Sequence, residues 1–187
     1  MILSRTATGK VLMLESILTE ESRQLLLNLP KPRTLLGKDT PEDLNGITIG
    51  QLSELQEAVK GENMQTIITE CSRILLGAAP IKVLRHRADR TIGFALWVLR
   101  ELERIAKMWK AIAIPPSPEA IQAGADNMES DSFDLVDWYA LRMGITDHEE
   151  AMQVPWVRVW RCMKKDNQDA QFQQRVREVY AKQSIKK

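Results

Sequence analysis

Residues 89–112 read DRTIGFALWVLRELERIAKMWKAI, the longest helical pattern in the chain. Asp89 suits the N-cap position of a helix, and the prolines that follow Ile114 cannot continue one. Apolar residues recur every three or four positions, as they do on one face of a helix. They are Ile92, Leu96, Leu99, Leu102 or Ala106, and Trp109. The stretch therefore predicts a long helix over residues 90–112.

The residues before this helix contain further start and stop signals. Thr48 and Gln51 form a capping box, and apolar residues follow at helical spacing up to Gly61. Residues 62–76 repeat the pattern, and Gly77 suits the left-handed position that ends a helix. Three more segments are expected: a helix over 20–28, a proline-rich linker over 30–46 and a short helical segment opened by Pro80.

The residues after the long helix use the same signals. Each expected helix follows a residue whose side chain can cap its N-terminus. These helices are 118–127 after Ser117, 133–143 after Asp131 or Ser132 and before Gly144, 146–153 opened by Thr146 with Glu149, and 168–183 after Asp166-Asn167.

Residues 155–163 read PWVRVWRCM and fit two structures. With a period of two they form a strand that has Trp156, Arg158 and Trp160 on one side. With helical periodicity they place Trp156, Val159, Trp160 and Met163 on one face. Pro155 suits the first position of a helix, and no segment with strand character lies nearby to pair with. A short helix is therefore the prediction.

Together these patterns predict an all-α fold, a multi-helix bundle of about seven to nine helices. No alternation of strands and helices occurs, and no hairpin dipeptide separates alternating runs. A minor two-stranded element is expected near residues 10–14 and 46–49. Three parts are expected: an N-terminal segment and linker (1–46), a helical subdomain with the long central helix (47–114) and a C-terminal helical subdomain (115–187).

The aromatic residues are distributed unevenly. The five Trp, three Phe and two Tyr residues all lie at or after Phe94. Aromatic side chains bury the most area each, so the better-anchored core is expected in the C-terminal half. Residues 1–93 have to build their core from Leu, Ile, Val and Met.

Charge and composition exclude several classes of protein. Lys and Arg number 26 and Asp and Glu 25, a net charge of +1, so no whole-protein field draws the chain to nucleic acid or anionic lipid. Two cysteines fit a reducing compartment. The N-terminus lacks the pattern of a signal peptide, and no apolar run approaches the ~18 residues that span a bilayer. The expected location is the cytoplasm.

Candidate catalytic and metal-binding residues are sparse. The chain has no CxxC, HxxxH, HExxH, GxSxG or glycine-rich phosphate loop. His148-Glu149-Glu150 is interpreted as the first turn of a helix. An acidic stretch lacks the glycine of a calcium loop; it consists of Asp126, Glu129, Asp131, Asp134 and Asp137. We therefore expect neither an enzyme nor a bound metal or cofactor.

Two basic regions have two interpretations each. On the long helix, Arg100, Arg104, Lys107 and Lys110 form one continuous stripe. A surface that follows phosphates has this pattern, and so does a solvated helix face with cations near its C-terminus. The second region consists of Arg158, Arg161, Lys164, Lys165, Lys182, Lys186 and Lys187.

The tryptophans are candidates for core or for a protein interface. Trp97 and Trp138 lie among Leu, Val and Phe, which indicates core. Trp and Arg together are the residue types that anchor interfaces. The candidate partner-binding set is therefore Trp156, Arg158, Trp160 and Trp109, with burial in the core as the alternative.

Several short motifs carry a family resemblance. They are Ala123-Gly124, Asp137-Trp138, Val154-Pro155-Trp156, Val159 and Val179-Tyr180. With them, residues 115–183 resemble the tail assembly chaperones, small helical proteins encoded beside the tape-measure gene in long-tailed bacteriophages and prophages of gut bacteria. The stretch LNGITIGQLSEL at 44–55 is similar to the start of such proteins. The family often has glycine after the phenylalanine that corresponds to Phe133, where this chain has Asp134.

The resemblance implies a phage morphogenesis factor. Such a protein binds the hydrophobic, largely helical tape-measure protein and keeps it soluble until the tail tube polymerises around it. This function needs amphipathic grooves, and the eight Met residues suit adaptable apolar surfaces. Two other functions fit the sequence: a small helical nucleic-acid-binding or packaging protein that uses the basic stripe, and a structural connector or ring protein of the virion.

Overall fold

A computed structural model describes residues 6–13, 20–61, 63–124 and 132–185. The chain divides into two compact units, Met1–Ile105 and Ala106–Lys187. The first unit includes the expected N-terminal segment and linker together with most of the long central helix.

Helices dominate the described residues, which confirms the all-α fold. Ten helices occur there: α1 (Thr8–Met13), α2 (Glu20–Leu27), α3 (Ile49–Lys60), α4 (Met64–Leu76), α5 (Pro80–Arg85), α6 (Ala88–Ile112), α7 (Pro118–Gln122), α8 (Ser132–Met143), α9 (His148–Met152) and α10 (Trp156–Ile185). Two short strands, β1 (Thr34–Leu35) and β2 (Lys38–Asp39), accompany them.

The two strands form an antiparallel hairpin in which Thr34 pairs with Asp39. Leu36 and Gly37 connect them with positive φ angles of 53° and 80°, as a two-residue hairpin turn requires. The minor two-stranded element therefore exists, but its predicted position near 10–14 and 46–49 is wrong. Residues 10–13 lie in α1, and the described residues after 46 lead into the capping box of α3.

The core of the first unit is mainly aliphatic, although the aromatic Phe94 is completely buried in it as well. Its main cluster combines residues of α1, α4, α5 and α6: Val11, Ile68, Val83, Ala88, Ile92, Ala95 and Leu96. A buried hydroxyl pair joins α1 to α6, with Thr8 Oγ1 2.6 Å from Thr91 Oγ1. Thr8 Oγ1 also donates to the carbonyl of His86 at 3.0 Å. The N-terminal helix is thereby fixed to the start of the long helix.

The position of the core corrects an expectation from the aromatic residues. Among the described residues, most of the buried hydrophobic side chains lie in the first unit, and few lie in the second. Leu44, Leu55, Ile68 and Ile105 are all completely buried. Leu, Ile and Val side chains of several short helices can build this core, because the gain from burial follows the apolar area removed from water and not the aromatic character of the residue.

The predicted caps of the first unit are present. Thr48 Oγ1 accepts from Gln51 N, and Gln51 Oε1 accepts from Thr48 N, both at 3.1 Å. Gly77 ends α4 in the left-handed conformation, with φ of 60°. The long helix begins at Ala88, so Asp89 lies inside its first turn instead of capping it.

In the second unit, the predicted cap of α7 is present: Ser117 Oγ accepts from Ala120 N at 3.2 Å. Gly144 ends α8 with φ of 69°. The predicted cap of α9 by Thr146 is wrong, because Asp147 accepts from Glu149 N at 2.9 Å. Asp131 and residues 125–130, on which the expected end of α7 and part of the acidic stretch fall, lie outside the described residues.

The last helix differs most from its prediction. The expected short helix at Pro155 and the expected last helix over 168–183 are one continuous helix of 30 residues, longer than the 25-residue α6. Asp166 and Asn167 do not cap a helix there. Asp166 pairs with Arg142 at 2.9 and 3.0 Å, and Asn167 donates to the carbonyl of Ile112. Because both side chains bond outside α10, they do not compete with its backbone.

Candidate functional site

Trp156 is removed from the candidate partner-binding set. Its side chain is completely buried, next along the helix face from the buried Val159. A side chain with no accessible surface presents nothing to a partner. Trp156 is instead the main aromatic anchor of α10 in the second unit, and the strand alternative for residues 155–163 is wrong.

Trp160 is half-buried and holds α10 to the end of α6. Its Nε1 donates to the carbonyl of Met108 at 3.1 Å. The ammonium of Lys164 lies 5.1 Å from the centre of the indole ring, a cation–π contact. Arg158 is exposed, so of the pair it is the side chain available to a partner.

Trp109 lines a cleft of about 430 Å³ in the second unit. Ile112, Leu135 and Met163 give the cleft an apolar lining. Asn167, at one side of it, donates from Nδ2 to the carbonyl of Ile112 at 2.8 Å. The structure therefore places Trp109 in an apolar concave surface. Surfaces of this kind bind ligands or the side chains of a partner protein.

The second half of α10 has an exposed apolar surface that the sequence prediction missed. Phe172, Val176, Val179 and Tyr180, here called the C-terminal stripe, lie at helical spacing on this polar helix. Phe172 and Val179 are each 53% exposed, and Tyr180 is 66% exposed. The spacing i, i+4, i+7, i+8 was the available signal.

The C-terminal stripe lies on the side of α10 opposite to its packing face. Nine residues separate Met163, on the packing face, from Phe172, and at 100° per residue they correspond to a rotation of about 180°. The apolar face of the first half therefore does not continue into the second half. The helix has two apolar faces of different direction, one used for packing and one left at the surface.

Two arginines of the basic stripe on α6 already bond to other residues of this chain. Arg104 donates to Glu101 at distances down to 2.8 Å and to Asn45 Oδ1 at 2.9 Å. These hydrogen bonds hold the pKa of Glu101 below its usual value, assisted by a backbone N–H from Leu44. Arg100 donates to the carbonyl of Leu27 at 2.8 Å. Lys107 and Lys110 are exposed.

The second basic region is divided in a similar way. Lys165 is paired with Asp169 one turn further along α10, and Lys164 covers the ring of Trp160. Arg158, Arg161 and Lys182 are exposed, while Lys186 and Lys187 lie outside the described residues. A continuous surface for phosphates does not follow from either region.

The titratable candidates form no metal site in the part of the chain that the structure describes. No group of three or more His, Cys, Asp or Glu able to hold an ion occurs there. His148 Nε2 lies 3.0 Å from Asp137, and its ring packs 5.1 Å from that of Phe133. Burial raises the pKa of the Cys71 thiol to about 12, which makes it a poor nucleophile.

No family model matches this chain, and no curated protein or solved structure matches it either. Among the described helices, none is both long and apolar enough to cross a membrane. Two apolar surfaces of the second unit are candidates for function: the C-terminal stripe and the cleft at Trp109. Both suit contact with apolar side chains of another molecule.

Proposed function

We propose that this protein is a tail assembly chaperone, a phage morphogenesis factor that binds the tape-measure protein. The observation that carries the proposal is the C-terminal stripe, an apolar helix face that the second unit does not use for its own packing. Phe172 and Tyr180, its two aromatic residues, are both more than half exposed. A chaperone for a helical, hydrophobic protein has to present such a face.

The chemistry of the stripe fits an amphipathic helix as its partner. Apolar residues at i, i+4, i+7 and i+8 are the pattern by which helices bind helices. Charged residues flank the stripe along α10: Arg175, Arg177, Glu178 and Lys182. An apolar centre with a polar rim is the usual composition of a protein interface, since the rim keeps the free surface soluble.

The family resemblance supports the same surface. Val179-Tyr180, two of the residues that carry it, belong to the C-terminal stripe. Asp137-Trp138 and Val154-Pro155-Trp156 carry it as well, and in this structure Trp156 anchors the helix that displays the stripe. The resemblance therefore includes both the displayed surface and the residue that holds it in place.

Co-expression with the tape-measure protein encoded beside this chain tests the proposal. The wild-type chain should copurify with it and raise its soluble fraction. The double variant Phe172→Ser with Val179→Ser should weaken the complex by about a hundredfold or more, because burying each side chain contributes roughly 1.5–3 kcal/mol. Titration of the purified pair measures this change.

The matched control is Ala170→Ser with Gln171→Ser. Both positions are exposed on the same stretch of α10, and neither belongs to the stripe. The control should bind like the wild type. The proposal is wrong if wild type and tape-measure protein stay apart, or if the control weakens binding as much as the stripe variant does.

The same preparations separate the other two functions. A nucleic-acid-binding protein would show DNA affinity at low salt that Arg100→Glu with Arg104→Glu abolishes. The structure gives little support for this, since both arginines donate to protein acceptors. A ring or connector protein would form a defined high-order oligomer in light scattering without any partner.

A further inference from the structure

A cavity of about 540 Å³ lies in the first unit, whereas the residues used in the proposed function belong to the second. The start of α6 forms one wall, and the chain after α2 forms the other. Leu25, Leu29, Pro30 and Pro32 give the cavity an apolar part. Its size is within the usual range for pockets that bind small organic molecules.

The rest of the lining is strongly basic, although the whole chain has a net charge of only +1. Lys31, Arg33, Arg87 and Arg90 line the cavity, and Asp89 is the acidic residue among them. Asp89 is already engaged, since Arg87 donates to its carboxylate at 2.7 and 3.2 Å. The ammonium of Lys31 donates to the carbonyls of Pro41 and Glu42.

Two guanidinium groups remain. Neither Arg33 nor Arg90 has a side-chain hydrogen bond or ion pair among the residues that the structure describes. Arg90 is half-buried, so its donors are partly removed from water. A guanidinium in this situation is stabilised by an anionic acceptor, for which its planar donors are arranged. The positive charge of Arg90 and Arg87 also acts on His86. Burial is the main cause that lowers the pKa of His86, and the charges of these two arginines lower it further.

The wall opposite Arg90 is fixed before any ligand arrives. A Cβ atom on Gly93 would lie 2.4 Å from the carbonyl oxygen of Pro30, so only glycine lets this segment lie directly on α6. Thr40 Oγ1 donates to the carbonyl of Pro32 at 2.6 Å, and Thr40 N donates to that of Arg33 at 3.1 Å. A cavity held open in this way loses little freedom on binding.

We propose that this cavity binds a small organic phosphate monoester, with its phosphate at Arg33 and Arg90 and its apolar group against Leu25, Leu29 and Pro32. A monoester dianion matches two arginines in charge, and each guanidinium offers it a pair of parallel donors. The apolar lining discriminates between an organic phosphate and inorganic phosphate, because only the organic one covers that surface.

Calorimetric titration of the full chain tests the site with phenyl phosphate, inorganic phosphate and phenol as probes. Phenyl phosphate should bind with a Kd of about 1 mM or lower and at least about fivefold more tightly than inorganic phosphate. Phenol should not bind detectably. Arg33→Gln and Arg90→Gln should each weaken phenyl phosphate by about tenfold, the effect of losing a charge-assisted pair.

Arg85→Gln is the matched control, an exposed arginine on α5 that does not line the cavity. It should change the affinity by less than about twofold. Circular dichroism melts should show that all three variants fold, because Arg33 and Arg90 have no internal partner to lose.

Any one of the following results would overturn the assignment. One is equal loss of affinity in Arg85→Gln and Arg90→Gln, which indicates general charge attraction. Another is equal affinity for phenyl phosphate and inorganic phosphate, or no binding at about 10 mM of either. The last is displacement of phenyl phosphate by an oligonucleotide without a terminal phosphate, at a concentration of phosphate groups lower than that of phenyl phosphate. This result identifies a nucleic-acid backbone as the ligand.

Discussion

Gly93 is the residue at which a single missing carbon decides the packing of the first unit. Glycine in the middle of a helix costs up to about 1 kcal/mol relative to alanine. Here it lets the carbonyl of Pro30 approach α6, where a Cβ would lie 2.4 Å from the oxygen. Trp97 lies one turn after Gly93 on α6, and the ammonium of Lys31 lies 4.4 Å from the centre of its ring.

Replacement of this glycine should therefore destabilise the protein in spite of the helix propensity of alanine. We expect Gly93→Ala to lower the free energy of unfolding by about 1–3 kcal/mol, the usual effect of forcing atoms into a packed contact. Urea titration followed by circular dichroism measures it. Gly46→Ala is the control, because nothing lies within 4 Å of its added Cβ. Equal effects at both positions would contradict the packing argument.

At the scale of elements, α10 completes the end of α6. The last carbonyls of a helix have no partner within it. Asn167 supplies one for Ile112 at 2.8 Å, and Trp160 adds a hydrogen bond to Met108 at 3.1 Å. These two bonds lie seven residues apart on α10, two turns of one helix face. They explain why the helix continues through a stretch that contains two good capping residues.

Replacement of Asn167 should lower the stability of the protein by a measurable amount. We expect Asn167→Ala to lower the free energy of unfolding by about 1 kcal/mol, the usual net contribution of a hydrogen bond that satisfies a partly buried acceptor. Gln168→Ala, at the exposed neighbouring position, should change it by less than about 0.5 kcal/mol. If a separate helix started after Asp166 in solution, its first amide protons, those of residues 167–170, would have no partner within it and would exchange rapidly in both variants.

At the scale of the whole molecule, the pH dependence of stability follows from carboxylates in both units. Arg104 lowers the pKa of Glu101, and Arg142 lowers the pKa of Asp166. A carboxyl whose pKa is lower in the folded state contributes stability above its unfolded pKa, and this contribution is lost as the pH falls through the folded value. Stability should therefore decrease below about pH 4.5.

Glu101 should account for most of this decrease, because its side chain is more buried than that of Asp166. We expect Glu101→Gln to lower the free energy of unfolding at pH 7 by about 1–2 kcal/mol and to flatten its dependence between pH 5 and 3. Asp166→Asn should have a smaller effect, since solvent screens an exposed pair. Urea titrations across this pH range test both; an unchanged slope in Glu101→Gln would contradict the assignment.

Local signals predict most of the helices and many of their ends, but they missed α1, whose residues 10–13 were expected in a strand. The capping box at Thr48, the left-handed Gly77 and the proline at the start of α5 act within one turn of backbone, so the residues that determine them are adjacent in sequence. Pro155 at the first helical position, with no strand nearby to pair with, also predicts that residues 155–163 form a helix. What local signals did not decide is whether a good capping residue is used, as Asp166 and Asn167 illustrate.

By itself, the sequence determined the all-α class, the start of the long helix to within two residues and, for the part of the chain that the structure describes, the absence of an extended sheet. These features depend on backbone hydrogen bonds between near neighbours. The tertiary structure alone decided that Trp156 is core, that Arg104 belongs to Glu101, and that the C-terminal stripe and the arginine-lined cavity stay exposed. Burial and ion pairing depend on residues distant in sequence, and a periodic apolar face has the same pattern whether a neighbour covers it or not.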